Sequence, residues 1–247
     1  MMRTGILHIG DELLTGEIDP YPREIIQMIR QKGAGLDLLE VVGDREEDIV
    51  RCLEHAQAFG IDILVITGGL GPTLDDLTRE AVARFLGTDL VVDPEAAIEL
   101  ERVLTAWHGR SVAMSEITLR MARVPRGHKA LMNLTGAACG VEARKEGMTM
   151  FLLPGFPNEM VPMFKAHVLP RIIGSGVVEA ETRAYLGESL LEPLFQEVAA
   201  SHNVRIACLP SVRWREEGNR IIFKGEKEEA EAALAHFMKL LEHCNRL

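Results

Sequence analysis

The sequence feature that most constrains the fold is a continuous apolar segment followed at once by a glycine-rich loop. The segment, Ile61–Thr67, is built from isoleucine, leucine and valine apart from Asp62 and the final threonine. An uninterrupted apolar strand of this kind is typical of a parallel sheet with helices on both faces. The loop, Thr67–Asp76, has three glycines within four residues, which allow backbone conformations closed to other residues. The segment and the loop together predict a buried parallel strand that leads into a turn with an unusual backbone conformation.

The residues around this strand alternate between strand and helix patterns. Strands are predicted at Ile6–Gly10, Leu36–Val42, Ile61–Thr67, Ala138–Glu142 and Met148–Leu153. Helices are predicted at Tyr21–Lys32, Glu46–Phe59, Asp75–Leu86, Pro94–His108, Glu116–Ala122 and Asn158–Val168. This order predicts an α/β fold with an open, mainly parallel sheet.

A second, smaller unit is predicted after the glycine-containing linker Gly174–Gly176. The pattern there changes to β-α-β-β-α, which indicates a small α+β domain. Its predicted elements are Thr182–Leu186, Ser189–Ser201, Val204–Leu209, Arg220–Lys224 and Lys227–Cys244. We therefore predict two domains, at residues 1–173 and 177–247.

Composition narrows the classes of function. The chain has 27 Lys and Arg against 37 Asp and Glu, a net charge of −10, which argues against nucleic-acid binding because that needs a basic face. Backbone N–H groups can still hold a small anion in an acidic protein. The four cysteines form neither a zinc motif nor a disulfide framework, and the sequence shows neither a signal peptide nor a membrane-length apolar run. We expect a reduced, cytoplasmic protein with no membrane partner.

Four loops with unusual residues follow predicted strands. In an open parallel sheet, ligands bind at the carboxyl ends of the strands, so these loops predict one pocket. They are Gly10-Asp11-Glu12, Gly43-Asp44, Thr67–Asp76 and Leu153–Glu159.

The glycine-rich loop is predicted to bind an anion. With a helix starting near Thr73–Asp75, free N–H groups and the positive end of the helix dipole would lie beside the loop. It is not a Walker A motif, because no Gly-Lys-Ser/Thr follows, and Leu74 stands where the dinucleotide fingerprint has its third glycine. The alternative interpretation is that Thr73 and Asp75 only cap the helix.

Carboxylates at the strand ends are candidate ligands for a metal or for a ligand hydroxyl. Asp44 and Asp76 follow buried segments, although Asp44 taken alone is better explained as a turn or helix N-cap residue. His8 lies inside a strand and is interpreted as a core residue. The basic residues Arg120, Arg123 and Arg126 are interpreted as a solvated face, with phosphate contact as the alternative.

These motifs together resemble the molybdopterin-binding-like domain family, and within it the N-terminal domain of the competence/damage-inducible CinA proteins. The resemblance covers residues 3–173 and implies a three-layer α/β/α fold. The motifs that carry it are Gly10–Ile18, Val41–Asp44, Thr67–Asp76 and Leu153–Met160.

The resemblance also implies roles for individual residues. In the molybdopterin branch the pocket binds molybdopterin or its adenylylated form, and in the CinA branch it is associated with metal-dependent hydrolysis of ADP-ribose. Phosphate would be cradled by Gly68, Gly69, Gly71 and Thr73. Asp44 and Asp76 would contact ligand or metal, and Gly155 and Glu159 would border the pocket.

The smaller unit resembles the KH-like middle domain of the CinA proteins, beginning at Gly187–Ser189. It has no Gly-x-x-Gly loop of the kind that clamps RNA, and the amidase domain that follows in CinA proteins is expected to be absent. A second departure precedes the first long helix, where Asp19-Pro20-Tyr21-Pro22 replaces an Asn-Thr-Asn-like run. The two prolines stiffen the chain there, which favours a different substrate or weakened catalysis.

The leading hypothesis is a pyrophosphatase for ADP-ribose or a related dinucleotide. A divalent metal (Mg, Mn or Co) would be held by Asp44, Asp76 and Glu12, with Asp44 and Asp76 as catalytic residues. Gly10, Asp11, Glu12 and Thr67 complete the predicted ligand-binding set. The alternatives are a molybdopterin-binding protein without hydrolase activity and a catalytically silent paralogue. A small phosphorylated ligand and a second copy of the chain are the expected partners.

Overall fold

The chain divides, in a computed structural model that describes residues 2–19 and 22–244, into two units, Met1–Ile173 and Gly174–Leu247. The strands of the first unit are β1 (Thr4–Ile9), β2 (Leu38–Val42), β3 (Ile63–Thr67), β4 (Leu90–Val92), β5 (Arg123–Pro125), β6 (Lys129–Leu131), β7 (Gly140–Lys145) and β8 (Met148–Leu153). Its α-helices are α1 (Asp11–Leu14), α2 (Arg23–Gln31), α3 (Glu46–Ala58), α4 (Thr78–Leu86), α5 (Pro94–His108), α6 (Glu116–Leu119) and α7 (Pro157–Met163). A short π-helical turn, Phe164–Val168, continues α7.

The main sheet has six strands in the order β2-β1-β3-β8-β7-β6. The strands β2, β1, β3 and β8 are parallel, whereas β7 and β6 pair antiparallel at one side. The short strands β4 and β5 form a separate antiparallel pair. The mainly parallel sheet predicted from the sequence is therefore confirmed.

Two hydrophobic clusters cover the two faces of this sheet. On one face, Leu64 and Ile66 of β3 pack in a cluster with side chains of α3, α4 and α5. On the other, Ile63 and Val65 of the same strand pack with side chains of α2 and α7. Since alternate residues of a strand point to opposite faces, both faces of β3 must be apolar, which explains the continuous pattern in the sequence. The three-layer α/β/α arrangement is confirmed.

The predicted start of the helix after the glycine-rich loop is wrong. The helix α4 begins at Thr78, after Leu77, and not near residues 73–75. The residues before it form a loop in which the carboxylate of Asp76 binds backbone amides, and such local bonding competes with helix formation. Because Leu77 makes no side-chain capping bond, the interpretation of Thr73 and Asp75 as caps of this helix is wrong as well.

The second unit contains β9 (Val177–Ala184), α8 (Glu188–Ser201), β10 (Arg205–Leu209), α9 (Trp214–Glu217), β11 (Asn219–Glu226) and α10 (Lys227–Cys244). Its antiparallel sheet has the order β10-β11-β9, and Phe223 and Phe237 are fully buried between the sheet and the helices. The predicted α+β class of this unit is confirmed. Across residues 2–19 and 22–244, no helix is long and apolar enough to cross a membrane.

Candidate functional site

The carboxyl ends of the four parallel strands meet at one edge of the sheet. The loops that leave them are joined by backbone hydrogen bonds, from Gly10 N to Val42 O at 3.0 Å and from Gly68 N to Leu153 O at 3.2 Å. A cavity of about 760 Å³ opens at this edge, and residues from all four loops line it. The sheet edge that the sequence predicted as a binding site therefore carries a large cavity.

Most of the predicted site residues line this cavity. Asp11 and Thr73 do not, but each is hydrogen-bonded to a residue that does. The predicted residues found in the cavity wall are Gly10, Glu12, Asp44, Thr67, Gly68, Gly69, Gly71, Asp76, Gly155 and Glu159.

The loops approach each other too closely for any side chain at Gly68. This residue has a φ of 93°, and a Cβ atom built on it would lie 2.1 Å from the carbonyl oxygen of Ile9. A Cβ atom on Gly155 would in turn lie 3.4 Å from the Cα atom of Gly68. The first glycine of the loop thus brings three strand ends together, which is a packing role in addition to any ligand contact.

Arg79 on α4 is a residue that the sequence reasoning missed. Its guanidinium group is buried and donates hydrogen bonds to Leu70 O at 2.6 Å and Cys139 O at 2.7 Å. It also donates to the carbonyl oxygens of Arg123 and Met121. Burial lowers the pKa of Arg79, but an arginine stays charged in proteins. The group therefore places a fixed positive charge behind the glycine-rich loop.

Arg120 binds the same loop further along. Its guanidinium donates to Thr73 O at 2.6 Å, to Pro72 O at 3.1 Å and to Asp76 O at 3.0 Å, and pairs with Glu80 at 3.1 Å. The interpretation of Arg120 as part of a solvated face is wrong. Together with Arg79 it occupies carbonyl oxygens that would otherwise repel an anion near the loop.

The carboxylate of Asp76 folds back on the loop. It accepts hydrogen bonds from Gly71 N at 2.8 Å, from Thr73 N at 2.8 Å and from Thr73 Oγ1 at 2.5 Å. Two of the amides predicted to cradle phosphate are thus already bonded. Among the described residues, the amides of Gly69 and Leu70, which line the cavity, donate no hydrogen bond, so they are candidate donors to a ligand.

Asp44 and Asp11 hold each other's backbone. The amide of Asp11 donates to Asp44 Oδ2 at 2.8 Å, and the amide of Asp44 donates to Asp11 Oδ1 at 3.3 Å. Burial raises the pKa of the Asp44 carboxyl, and the negative charges of Asp11, Glu12 and Asp75 raise it further. Asp44 is therefore a partly buried, poorly stabilised carboxylate in the cavity wall.

The predicted metal ligands do not form a ready donor set. The described residues contain no group of three or more acidic, histidine or cysteine side chains placed to hold an ion. Asp76 is engaged with the loop, and the acidic residues that act on Asp44 are Asp11, Glu12 and Asp75. Asp44, Asp76 and Glu12 thus do not fit a preformed metal centre, and we derive no step through a metal.

Glu159, at the start of α7, is held by a second missed residue. Asn133 is buried and donates to Glu159 Oε2 at 2.7 Å and to Ala138 O at 3.1 Å. Its own oxygen accepts from the amides of Thr135 and Gly136. The Asn-x-Thr-Gly spacing is a turn signal that the sequence does carry. Glu159 borders the cavity with a fixed orientation.

Three further residues of the cavity wall were not predicted as site residues. His8 on β1 is buried, as expected of a core residue, yet it also lines the cavity and its Nδ1 lies 2.5 Å from Thr67 Oγ1. Trp107 and Phe156 line the cavity while 60% and 71% of their surfaces are exposed. Exposed aromatic rings beside a cavity are suited to stacking on a flat ligand.

The stretch Asp19-Pro20-Tyr21-Pro22, which departs from the CinA pattern, lies partly outside the described residues. Asp19 and Pro22 line the cavity, whereas Pro20 and Tyr21 are not described. The predicted effect of this stretch on catalysis stays a prediction.

The fold and the cavity together define a three-layer α/β domain with a large cavity at the carboxyl edge of its parallel strands. The chain belongs to the molybdenum-cofactor biosynthesis family described as "Probable molybdopterin binding domain", whose model matches residues 5–173.

Similar proteins support this assignment. A protein of Pyrococcus abyssi is 34% identical over 244 residues, which is 96% of either chain. A competence-damage inducible protein of Caldicellulosiruptor bescii is 34% identical over 95% of this chain, which spans only 57% of that relative. The crystal structure of the CinA protein of Thermoplasma acidophilum, described as having unknown function, matches with a TM-score of 0.61 and 28% identity over 69% of this chain and 98% of that one. The predicted resemblance to CinA proteins is confirmed.

Proposed function

We propose that the first unit binds a small phosphorylated ligand, a nucleotide or a pterin, in the cavity at the sheet edge. The observation that carries the proposal is the state of the glycine-rich loop. Its carbonyl oxygens are bonded to Arg79 and Arg120, while the amides of Gly69 and Leu70 donate no bond among the described residues. Free amides with positive charge behind them favour a phosphate group.

The rest of the cavity suits an organic group attached to that phosphate. A volume of about 760 Å³ falls within the range of roughly 300–1,000 Å³ that is usual for small-molecule sites. The aromatic rings of Trp107 and Phe156 lie in its wall. A nucleotide or a phosphorylated pterin combines a flat ring with a phosphate group. Such a ligand matches both the aromatic rings in the cavity wall and the free amides of the loop.

A thermal-shift screen tests this proposal. Purified protein is heated with ADP-ribose, FAD, NAD and pterins, with and without divalent cations. A ligand that binds only the folded state raises the melting temperature, by an amount that grows with the logarithm of its concentration relative to Kd. We expect Phe156→Ala to reduce the shift and Ile98→Ala, an exposed residue of α5 outside the cavity, to leave it unchanged. Absence of a shift with every ligand contradicts the proposal.

Hydrolysis of ADP-ribose is a second candidate function, and the environment of Asp44 favours it. A carboxyl with a raised pKa in a cavity wall is suited to accept a proton from water. The water would attack one phosphorus, the bond to the bridging oxygen would break, and the products would be AMP and ribose 5-phosphate.

The assay for this second function measures release of AMP with Mg²⁺, Mn²⁺ or Co²⁺ present. We expect Asp44→Asn to abolish turnover and Asp48→Asn, on the same chain segment but outside the cavity, to retain it. If the protein cleaves neither ADP-ribose nor FAD, the hydrolase proposal fails while ligand binding still stands.

Binding of molybdopterin without hydrolysis is a third candidate function. The engagement of Asp76 with its own loop favours it, because that carboxylate is not free to hold a cation. Tight molybdopterin binding with no pyrophosphate cleavage is the result that supports it.

We also propose a cellular compartment and an oligomeric state for the protein. The cysteines Cys52, Cys139, Cys208 and Cys244 are all free, which suits the reducing cytoplasm. For the oligomeric state, we propose that the protein assembles into a homo-oligomer. Light scattering measures the mass in solution, and a monomer at all concentrations contradicts the assembly.

A further inference from the structure

The buried part of the cavity wall, which we call its floor, contains a nitrogen atom that has no hydrogen-bond partner among the described residues. His8 lies on β1 opposite Thr67 of β3, and the pair is adjacent in the parallel register. Its Nδ1 is bonded to the hydroxyl of Thr67. Its other nitrogen, Nε2, is buried and has no hydrogen-bond partner among residues 2–19 and 22–244.

An unbonded polar atom at this depth needs an explanation. Nearly all buried polar groups in folded proteins are hydrogen-bonded, and leaving one unpaired destabilises the protein. His8 is 6% exposed and forms part of the cavity wall, and the Thr67 bond fixes its ring. An atom of a ligand bound in the cavity is therefore a candidate partner for Nε2.

The other buried residues of the cavity wall indicate the kind of ligand atom. Ile25, Met160 and Val161 are buried, and all three line the same cavity. Burial lowers the pKa of His8 to about 4, so the ring is neutral near pH 7. A neutral ring in an apolar floor does not attract phosphate, but it donates to or accepts from an uncharged group.

We propose that His8 recognises the ring of the ligand, through a hydrogen bond between Nε2 and an uncharged polar atom on the edge of a nitrogen heterocycle. In this arrangement the ring of the ligand lies on the floor of the cavity, and its phosphate binds the amides of Gly69 and Leu70. The inference rests on the proposed ligand binding and makes His8 a specificity residue.

Calorimetric titration of matched ligands tests the assignment. AMP and ribose 5-phosphate share the sugar phosphate and differ in the base, and 6-hydroxymethylpterin carries the other ring. The variants are His8→Phe, which keeps a flat ring without hydrogen bonding, and His8→Gln, which restores a neutral polar group. His55→Phe, on α3 outside the cavity, is the control.

For the wild type we expect tighter binding of AMP or of the pterin than of ribose 5-phosphate. In His8→Phe the affinity for the ring-bearing ligand falls by about tenfold, the size expected for one lost hydrogen bond, and that for ribose 5-phosphate is unchanged. His8→Gln recovers part of the loss. Because His8→Phe also removes the bond between Nδ1 and the hydroxyl of Thr67, stability without ligand does not separate a structural role from recognition. A structural role predicts equal losses of affinity for AMP and ribose 5-phosphate, whereas our proposal predicts a loss for the ring-bearing ligand alone.

The outcomes separate this inference from the proposed function. If the wild type binds AMP or the pterin and His8→Phe binds it equally well, His8 is not a recognition residue, while the cavity remains a ligand site. Equal losses for AMP and ribose 5-phosphate also overturn the inference. If the wild type binds none of the three ligands, this inference fails, and the thermal-shift screen with ADP-ribose, FAD, NAD and pterins decides the proposed function separately.

Discussion

Asp76 accepts two hydrogen bonds from Thr73, one from the backbone amide at 2.8 Å and one from the hydroxyl at 2.5 Å. With a third bond from the amide of Gly71, this carboxylate fixes the shape of the glycine-rich loop before any ligand arrives. A loop held in this way loses little conformational entropy on binding. Asp76 is therefore at least a positioning residue for the site, whatever chemistry follows.

Replacing Asp76 by Asn tests this positioning role. Asn retains one acceptor oxygen but loses the charge, so we expect a loss of stability of about 1–2 kcal/mol and faster hydrogen exchange at Gly71 and Thr73. Chemical denaturation and amide exchange measure the two effects. Asp75→Asn is the control for loss of charge, because the exposed Asp75 carboxylate, which interacts with the hydroxyl of Thr73, accepts no bond from the amides of Gly71 and Thr73. Equal exchange in both variants would contradict the role given to Asp76.

Among the side chains that support the glycine-rich loop, Arg79 is expected to lower the free energy of unfolding most when its guanidinium group is removed. Arg79→Met leaves the buried carbonyl oxygens of Leu70 and Cys139 without donors, so we expect a loss of about 3–5 kcal/mol. Urea denaturation measures it. Arg84→Met, on the same helix, removes only a surface pair with Glu46 and should cost less than about 1 kcal/mol. Similar midpoints for the two variants would count against a supporting role for Arg79.

Many residues of this site could be predicted from the sequence, because the loops that carry them follow strands that the apolar pattern predicts. The positions of Gly68 and Gly155 at one edge follow from a parallel sheet alone. The partners of Asp76 and Arg120 could not be read, because they depend on how a loop folds and on contacts between residues more than 40 positions apart. The sequence predicted His8 only as a core residue. Its place in the cavity wall could not be predicted, because a strand residue can be buried and still line a cavity.

Substituting Gly68 by Ala is expected to disturb the meeting point of the strands. The new Cβ atom would lie 2.1 Å from Ile9 O, and φ is 93°, so strain and steric clash add to each other. We expect a loss of more than about 2 kcal/mol, measured by thermal unfolding. Gly87→Ala is the control, since its φ of 72° carries the same backbone cost with no atom within 4 Å of the new methyl group. A loss no larger than that of Gly87→Ala would contradict the close packing of the loops.

His8 is expected to make stability fall in acid. Its pKa is about 4 in the folded protein and 6.5 for an unperturbed histidine, because burial disfavours the charged ring. As pH falls below about 6.5, the unfolded chain binds a proton that folded His8 does not, so the free energy of unfolding decreases until the pH reaches about 4. The full effect is on the order of 3 kcal/mol.

Denaturation curves for the wild type and His8→Phe at pH 7.5 and pH 4.5 isolate this contribution. Other titrating groups act equally in both proteins, so the stability of His8→Phe relative to the wild type should rise by about 2.5 kcal/mol from pH 7.5 to pH 4.5. His55→Phe, where the histidine lies on the exposed side of α3 beside Glu40, should not reproduce this growth. If the difference between His8→Phe and the wild type is constant with pH, His8 is not held neutral by burial, and the neutral ring assigned to the cavity floor is wrong.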